Sequence, residues 1–317
     1  MNPKVSIVIV NYNGKNLLQP LLKSISKSAY RGYEIIIVDN NSADGSRELI
    51  KKYKNIKLVE NKKNLGYSGI NSALKYCKGK YILFLNNDME LDRNCIGNLV
   101  SAVESRKNIA MAAPKLVNFY DKSLKSGGTW VSRAFYNGHI KGNGKKSKME
   151  IPYLGVGLIR KNIVEDFGYL FDPDYFIYAE DLDLGLRLRL AGKKVLFEPN
   201  AIMLHMHAAT ARKSSKSFTT FLMERNLLTT FLKIFSPENI IIFTPYVLAM
   251  RLLAVFRDMI TLDFPSAFAR LKAVFWVAFN LNFILKKRKA AQGMRKADDR
   301  FILEVFSEKH LLKPFVV

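Results

Sequence analysis

Through the first third of the chain, short apolar runs alternate with stretches of helical period. Val5 to Val10 is β-branched almost throughout, as a strand buried on both faces of a parallel sheet should be. A helical pattern follows from Leu17 to Ile25. Tyr33 to Val38 predicts a second strand, with a helix over Ser46 to Lys52, and Ile56 to Val59 predicts a short third. A helix over Ser68 to Cys77 leads into the apolar run Tyr81 to Leu85. Another helix (Asn94 to Glu104) and a strand (Ile109 to Ala113) complete the series. Strands separated by helices of this length define βαβ units and a mostly parallel sheet flanked by helices, an α/β fold.

The strand ends carry the chemistry. Four strands in succession finish in Asn- and Asp-rich turns: Asn11 and Asn13, Asp39 and Asn40, Asn61 and Asn64, then Asn86, Asn87 and Asp88. Turn propensity explains any one of these. All four on one sheet edge make a polar crescent able to hold a base, a ribose and phosphates, at the edge where open parallel sheets bind ligands. A hard divalent cation such as Mg²⁺ uses one or two carboxylates plus substrate phosphates, and Asp88 and Asp92 stand at this edge. No Gly-x-Gly-x-x-Gly follows the first strand and no P-loop Gly-Lys-Ser/Thr occurs. Hydride transfer and P-loop ATPase chemistry are therefore disfavoured.

From Lys115 to Met149 the periodicity fades into a loop-rich, partly hairpin segment expected over the site. Its lysine run reads as a solvated stretch. Pro152 to Arg160 predicts a further strand, in which Gly155 and Gly157 let the backbone approach a ligand. Tyr175, Phe176 and Tyr178 then precede Glu180-Asp181-Leu182-Asp183, where a helix starts at Glu180 or Asp181. Acids in a first helical turn are favoured by capping and the helix dipole, so the residues alone leave structural and catalytic roles open. His205 and His207 place two of four histidines within three positions.

From Asn239 to Leu285 the chain is apolar but interrupted by Pro245, Arg251, Arg257, Asp258, Pro265, Arg270 and Lys272. The interruptions argue against two membrane spans. They fit helices lying in a membrane interface or a helical hairpin packed on the core. Ala273 to Leu285 is the most lipid-like piece, and Lys286-Lys287-Arg288-Lys289 follows it, a footprint expected of attraction to anionic lipid.

Composition sharpens this picture. The 317 residues carry a formal net charge of +23, which calls for a polyanionic partner: nucleic acid, an anionic membrane surface or phosphorylated substrates. The basic residues are spread along the chain without a nucleic-acid recognition motif, so nucleic acid is the least supported. Cys77 and Cys95 form neither a metal-ligand spacing nor a disulfide framework, as in a reducing compartment. The first apolar run is too short for a secretory core. The expected location is cytoplasmic, peripheral on the inner face of the cell membrane.

The segments VSIVIVNYNG, IVDNNSADGS, ENKKNLGYSGINSAL and YILFLNNDMEL, in that order, resemble the nucleotide-sugar half of family 2 glycosyltransferases of the GT-A type. YAEDLDLGLRLRLAG is similar to that family's Glu-Asp helix. The resemblance implies a Rossmann-like sheet and an inverting transferase that uses a nucleoside-diphosphate sugar and Mn²⁺ or Mg²⁺. It implies that Asn11 meets the base and ribose, that Asp39 hydrogen-bonds the base, and that Asn64 and Gly66 lie against the nucleotide. Asp88 matches the last acid of the Asp-x-Asp motif that holds the metal. The first acid is Asn86 here, which leaves one fewer charge on the metal, and Asn87 lies between them as a substrate-binding amide.

Within the Glu-Asp pair, Glu180 precedes the implied general base, Asp181. Gly155 matches the strand below the acceptor. His205 is implied at the metal and diphosphate, with His207 as its rival. The processive signature Gln-x-x-Arg-Trp is missing, as in rhamnosyltransferase-like members that add one or a few sugars.

This reading divides the chain into a nucleotide-sugar half (1–114), an acceptor half of the same domain (115–235) and a C-terminal helical, membrane-associated region (236–317). The acceptor would be a glycan or a lipid-linked molecule of cell-surface polysaccharide synthesis. Two other functions remain at this point. A sugar-nucleotide nucleotidyltransferase would want a Gly-rich basic loop after the first strand, where NYNGKNLLQP supplies one Gly and one Lys. A basic nucleic-acid-binding protein would account for the charge alone.

Overall fold

A computed structural model describes residues 4–140, 147–206 and 215–307. The nucleotide half runs β1 (Val5–Asn11), α1 (Lys15–Ser26), β2 (Tyr33–Asp39), α2 (Ser46–Lys51) and β3 (Ile56–Glu60). A 3₁₀ helix (Gly66–Tyr76) follows, then β4 (Tyr81–Asn86), β5 (Met89–Leu91), α3 (Cys95–Glu104) and β6 (Ile109–Asn118). The helix expected over Ser68 to Cys77 is thus wound as 3₁₀, and it presents Ser68, Gly69, Ile70 and Ala73 to the core.

Strands β3, β2, β1 and β4 are parallel neighbours. β1 is buried along its whole length, and β4 to its last residue but one. Register pairs Asn11 with Asp39 and Val10 with Asn86, so the polar strand ends line up on one edge as expected.

The middle of the chain adds β7 (Leu124–Ser126), β8 (Thr129–Val131), β9 (Asn137–His139), β10 (Met149–Ile151), β11 (Gly157–Arg160), α4 (Lys161–Phe167), α5 (Glu180–Leu190) and β12 (Lys194–His205). The sheet has ten strands, and β8 and β9 form a separate small hairpin. β11 lies antiparallel between β4 and β6, which interrupts the parallel order that the βαβ pattern predicts. β12 runs parallel to β6 and antiparallel to β5. That pairing brings the end of β12 beside the turn after β4.

Helix α5 has leucines at 182, 184, 186, 188 and 190, a spacing that puts them on opposite faces of a helix. Both faces are buried: Leu184 and Leu188 pack in the sheet core. Leu182, Leu186 and Leu190 pack in a second core with Leu227, Phe231 and Ile234. The latter three belong to α6 (Lys216–Ile234), after which come α7 (Pro237–Ile260), α8 (Phe264–Phe279), α9 (Leu281–Gln292) and α10 (Asp299–Leu303). The site helix is thus held between the sheet and the C-terminal helices.

Candidate active site

The strand-end crescent is a hydrogen-bonded chain. Asn11, fully buried at the end of β1, donates from Nδ2 to Asp39 Oδ1 (3.0 Å) and Ser42 Oγ (3.2 Å). Its Oδ1 accepts from Asn87 Nδ2 at 2.8 Å. Asp39 is also fully buried, and its other oxygen accepts from the Ser42 amide at 2.8 Å. Farther along, Asn40 donates to the Gly66 carbonyl (2.7 Å) and Asn64 Oδ1 accepts from the Gly66 amide (2.9 Å). Gly66 has φ of +63°, and a side chain there would run into the Phe176 carbonyl. Here the nucleotide-side loop meets the loop that precedes α5.

At the end of β4, Asn86 and Asn87 are half-buried and Asp88 is buried. The register of β12 sets His205 opposite Met89 and Asn118, which places its Nε2 3.1 Å from Asp88 Oδ2. Lys125 Nζ lies 2.8 Å from the other ring nitrogen, Nδ1. Burial lowers the Lys125 ammonium to about 8, against the opposing pull of the Asp88 charge.

The donor pair fits a divalent cation. Two ligands on adjacent corners of an octahedron with bonds of about 2.1 Å stand about 3 Å apart. Among the described residues no group of three or more His, Cys, Asp or Glu that could hold a metal ion occurs. His207 lies outside the described residues.

Glu180 and Asp181 open α5. Three residues just before them, Phe176, Tyr178 and Ala179, have left-handed φ of 61° to 71°, and such strain clusters at functional sites. Asn226 of α6 holds this loop by donating to the carbonyls of Tyr175, Ile177 and Tyr178 at 2.7–3.2 Å. Gly185 lets α5 approach the chain at Pro152 and Tyr153. Gly155 comes against Asp181, whose Oδ2 lies 3.2 Å from where a Gly155 methyl would sit.

Burial lifts the Asp181 carboxyl to about 6, partly offset by the Leu182 amide that bonds it at 2.8 Å. Glu180 is pushed well above the usual carboxylate range by burial and then by the Asp181 charge. Its Oε2 has no hydrogen-bond partner among the described residues.

Tyr67, within the sequence motif but not singled out in it, joins the two halves. Its amide donates to the Phe176 carbonyl and its hydroxyl to the Gly155 carbonyl, both at 2.7 Å. Burial raises its hydroxyl well above the ordinary value, and the charges of Glu180, Asp181 and Asp88 add to that. The charge of Asp88, remote in sequence from Glu180 and Asp181, thus acts on the same hydroxyl as theirs. An aromatic in a helical pattern gives no hint of such a role.

Asp183, two positions beyond the base candidate, is structural. It pairs with Arg187 (2.8 Å) and with Lys233 (2.6 Å), which also reaches Asp172 at 2.7 Å.

The sheet order, the flanking helices and the site at the strand ends are those of a GT-A type glycosyltransferase. Residues 6–168 match glycosyl transferase family 2; the chain belongs to that family and is an enzyme that transfers sugars. It is 28% identical over 231 residues to the Escherichia coli UDP-Glc:alpha-D-GlcNAc-diphosphoundecaprenol beta-1,3-glucosyltransferase WfaP, covering 71% of this chain and 85% of that one. It is 25% identical over 249 residues to a Mycobacterium tuberculosis N-acetylglucosaminyl-diphospho-decaprenol L-rhamnosyltransferase, covering 68% and 80%.

The chain spans only 18% of the length of the Myxococcus xanthus O-antigen biosynthesis protein RfbC, to which it is 28% identical over 66% of itself. Among solved structures, GalNAc-T7 with UDP, GalNAc and Mn²⁺ superimposes with a TM-score of 0.62 at 18% identity over 75% of this chain and 49% of that one. The mannosyltransferase PcManGT of Pyrobaculum calidifontis, in complex with GDP-Man and Mn²⁺, has a TM-score of 0.54 at 16% identity, covering 99% and 88%.

Proposed function

We propose that this enzyme is an inverting, divalent-metal-dependent glycosyltransferase that moves a sugar from a nucleoside diphosphate to a hydroxyl of a lipid-linked or cell-surface glycan. The observation that supports this reading is the junction at Tyr67, whose hydroxyl bonds the Gly155 carbonyl while Gly155 lies against Asp181, with Asp88 beside His205 at the end of β4. One carboxylate with a histidine stands on the diphosphate side, and Glu180 and Asp181 stand on the acceptor side.

In a single displacement the acceptor hydroxyl oxygen bonds to the anomeric carbon. Its proton passes to Asp181, and the bond from that carbon to the phosphate oxygen breaks with its electron pair leaving on the nucleoside diphosphate. One base is enough, because no covalent intermediate is formed. Asp88 and His205 would hold Mn²⁺ or Mg²⁺, whose charge stabilises the departing diphosphate without a general acid; the histidine nitrogen favours Mn²⁺. Asn11, Asp39, Asn64 and Gly66 shape the base and ribose pocket. Asn86 and Asn87 offer amides to the donor at the end of β4, and Gly155 lets the chain pass close beneath Asp181.

The solved neighbours were crystallised with UDP or GDP-Man and Mn²⁺, and the names of the E. coli and M. tuberculosis relatives give diphospho-polyprenol acceptors. Both facts support the reading. We place the C-terminal region, 236–317, at the cytoplasmic face of an anionic membrane.

Of the interruptions that argue against two membrane spans, Arg251 and Asp258 turn inward, while Pro245, Pro265 and Lys272 are exposed. Arg251 and Asp258 are 1% and 3% exposed, and Glu224 of α6 pairs with Arg251 and Arg270. Leu252, Phe256, Phe268 and Phe279 face outward instead. By length and composition α7 alone is sufficient to cross a membrane, as is the bent pair α8 and α9 taken together. The basic cluster divides: Lys286 and Lys289 are exposed, while Lys287 pairs with Asp172 and Asp174.

A thermal-shift series with UDP, GDP and dTDP, with and without Mn²⁺, tests the donor site by mass action. The wild type should be stabilised by one diphosphate with Mn²⁺. Asp88→Ala should lose that shift, and Asp181→Asn should keep it while losing transfer. The opposite assignment of the two losses would refute these roles.

A further inference from the structure

Lys125 lies outside every motif that the sequence displays. Where β7 meets β6 the register slips: Leu116 faces Ser126 and Val117 faces Leu124, so Lys125 is the extra residue of a β-bulge. A bulge re-aims the side chain it carries, and bulges are over-represented beside active sites. This one directs a half-buried ammonium to 2.8 Å from His205 Nδ1, and the opposite nitrogen of that ring is 3.1 Å from Asp88. An ammonium has three donor hydrogens. A ring nitrogen can accept at most one of them. Partial burial of a charge is unfavourable unless anions complete its surroundings, and the Asp88 carboxylate stands across the ring from the ammonium, not against it. At residue 86, where the family pattern has an acid, this chain has an amide.

We propose that Lys125 binds the diphosphate of the donor, beside the cation that Asp88 and His205 would hold. The proposal rests on the reading of residues 88 and 205 as the diphosphate side of the site. Asn86 and Lys125 then have one electrostatic sense. Asn86 removes a negative charge from this end of the site, and Lys125 adds a positive one. Both raise the positive potential that meets the leaving diphosphate, through a donor fixed before the reaction begins. The diphosphate accordingly keeps affinity for the protein when no metal is present, which a carboxylate pair at the same place would not allow.

The test is calorimetric titration of the full chain with UDP, GDP and dTDP and their monophosphates, in Mn²⁺ and in EDTA. Wild type, Lys125→Met and Lys125→Arg are compared. The wild type should bind one diphosphate weakly in EDTA. Lys125→Met should weaken that binding about tenfold or more, as expected for loss of a charge-assisted hydrogen bond. Lys125→Arg should retain most of it, and monophosphate affinity should not change in any variant.

Equal diphosphate affinity of wild type and Lys125→Met in both media overturns the proposal. So does a loss confined to Mn²⁺, which would make Lys125 a support for His205 alone. A wild type that binds none of the three diphosphates even with Mn²⁺ overturns the donor-site reading itself, and the proposal with it.

Discussion

As the proposed base, Asp181 has a strength that suits the work. A carboxyl lifted to about 6 by burial is ionised at neutral pH, yet it holds a proton more firmly than an ordinary aspartate. The transfer rate should rise with pH through about 6 and then level, as a pH–rate profile would show. Asp181→Asn should lower kcat by about 10² to 10⁴.

The same shift sets the sign of a stability effect. The folded state holds this proton more tightly than the unfolded chain, so the stabilisation is complete at low pH and fades as pH rises through about 6. Asp181→Asn removes that pH-dependent term. Its melting temperature should therefore exceed the wild type's by about 2–4 °C at pH 8, with the difference vanishing near pH 4. An equal difference at both pH values would mean that burial does not set the carboxyl's affinity.

At the level of elements, α6 holds the loop that presents the acids. Asn226 is fully buried and its amide serves three carbonyls of a segment with three left-handed residues. Asn226→Ala should cost about 1–3 kcal/mol of stability. It should also lower kcat more than it changes donor affinity, because the loop leads to Asp181 rather than to the nucleotide pocket.

Lys233, on the same helix, is buried between Asp172 and Asp183. Lys233→Met leaves those carboxylates short of a cation and should cost about 3–5 kcal/mol in denaturant unfolding. Neither helix role is legible in the sequence. The alternation of strands and helices and the polar strand ends are, because a strand's period and its turn chemistry are local. Which way Lys125 points depends on a bulge against β6. What Tyr67 touches depends on loops around residues 155 and 176. Both are set only when the sheet closes.

For the molecule as a whole, the informative fact is the orientation of α7 and α8 rather than their hydropathy. In α8, Phe264, Phe268, Phe275 and Phe279 form one outward stripe, while Ser266, Ala267, Ala269 and Ala273 face the protein. Small residues inside, large apolar residues outside and Arg251 and Asp258 each paired within the bundle suit contact with lipid, as the proposed membrane association requires, although Lys272 is exposed beside the stripe. Water alone does not select this arrangement, since exposed apolar patches of this extent are rare on soluble monomers.

A sequence shows the apolar residues and the charges but not which of them face inward, so those residues argue against two membrane spans yet leave a membrane interface and a packed hairpin both open. Phe268, Phe275 and Phe279 are 70%, 58% and 85% exposed. Replacing all three with serine should leave the melting temperature within about 2 °C of the wild type and sharply reduce flotation with anionic vesicles. Raising the salt to about 0.5 M should weaken the wild type's flotation only in part, because screening acts on the +23 charge and not on the apolar stripe. Undiminished flotation of the triple variant would show that charge alone brings the enzyme to the membrane, and the outward stripe would then need another partner.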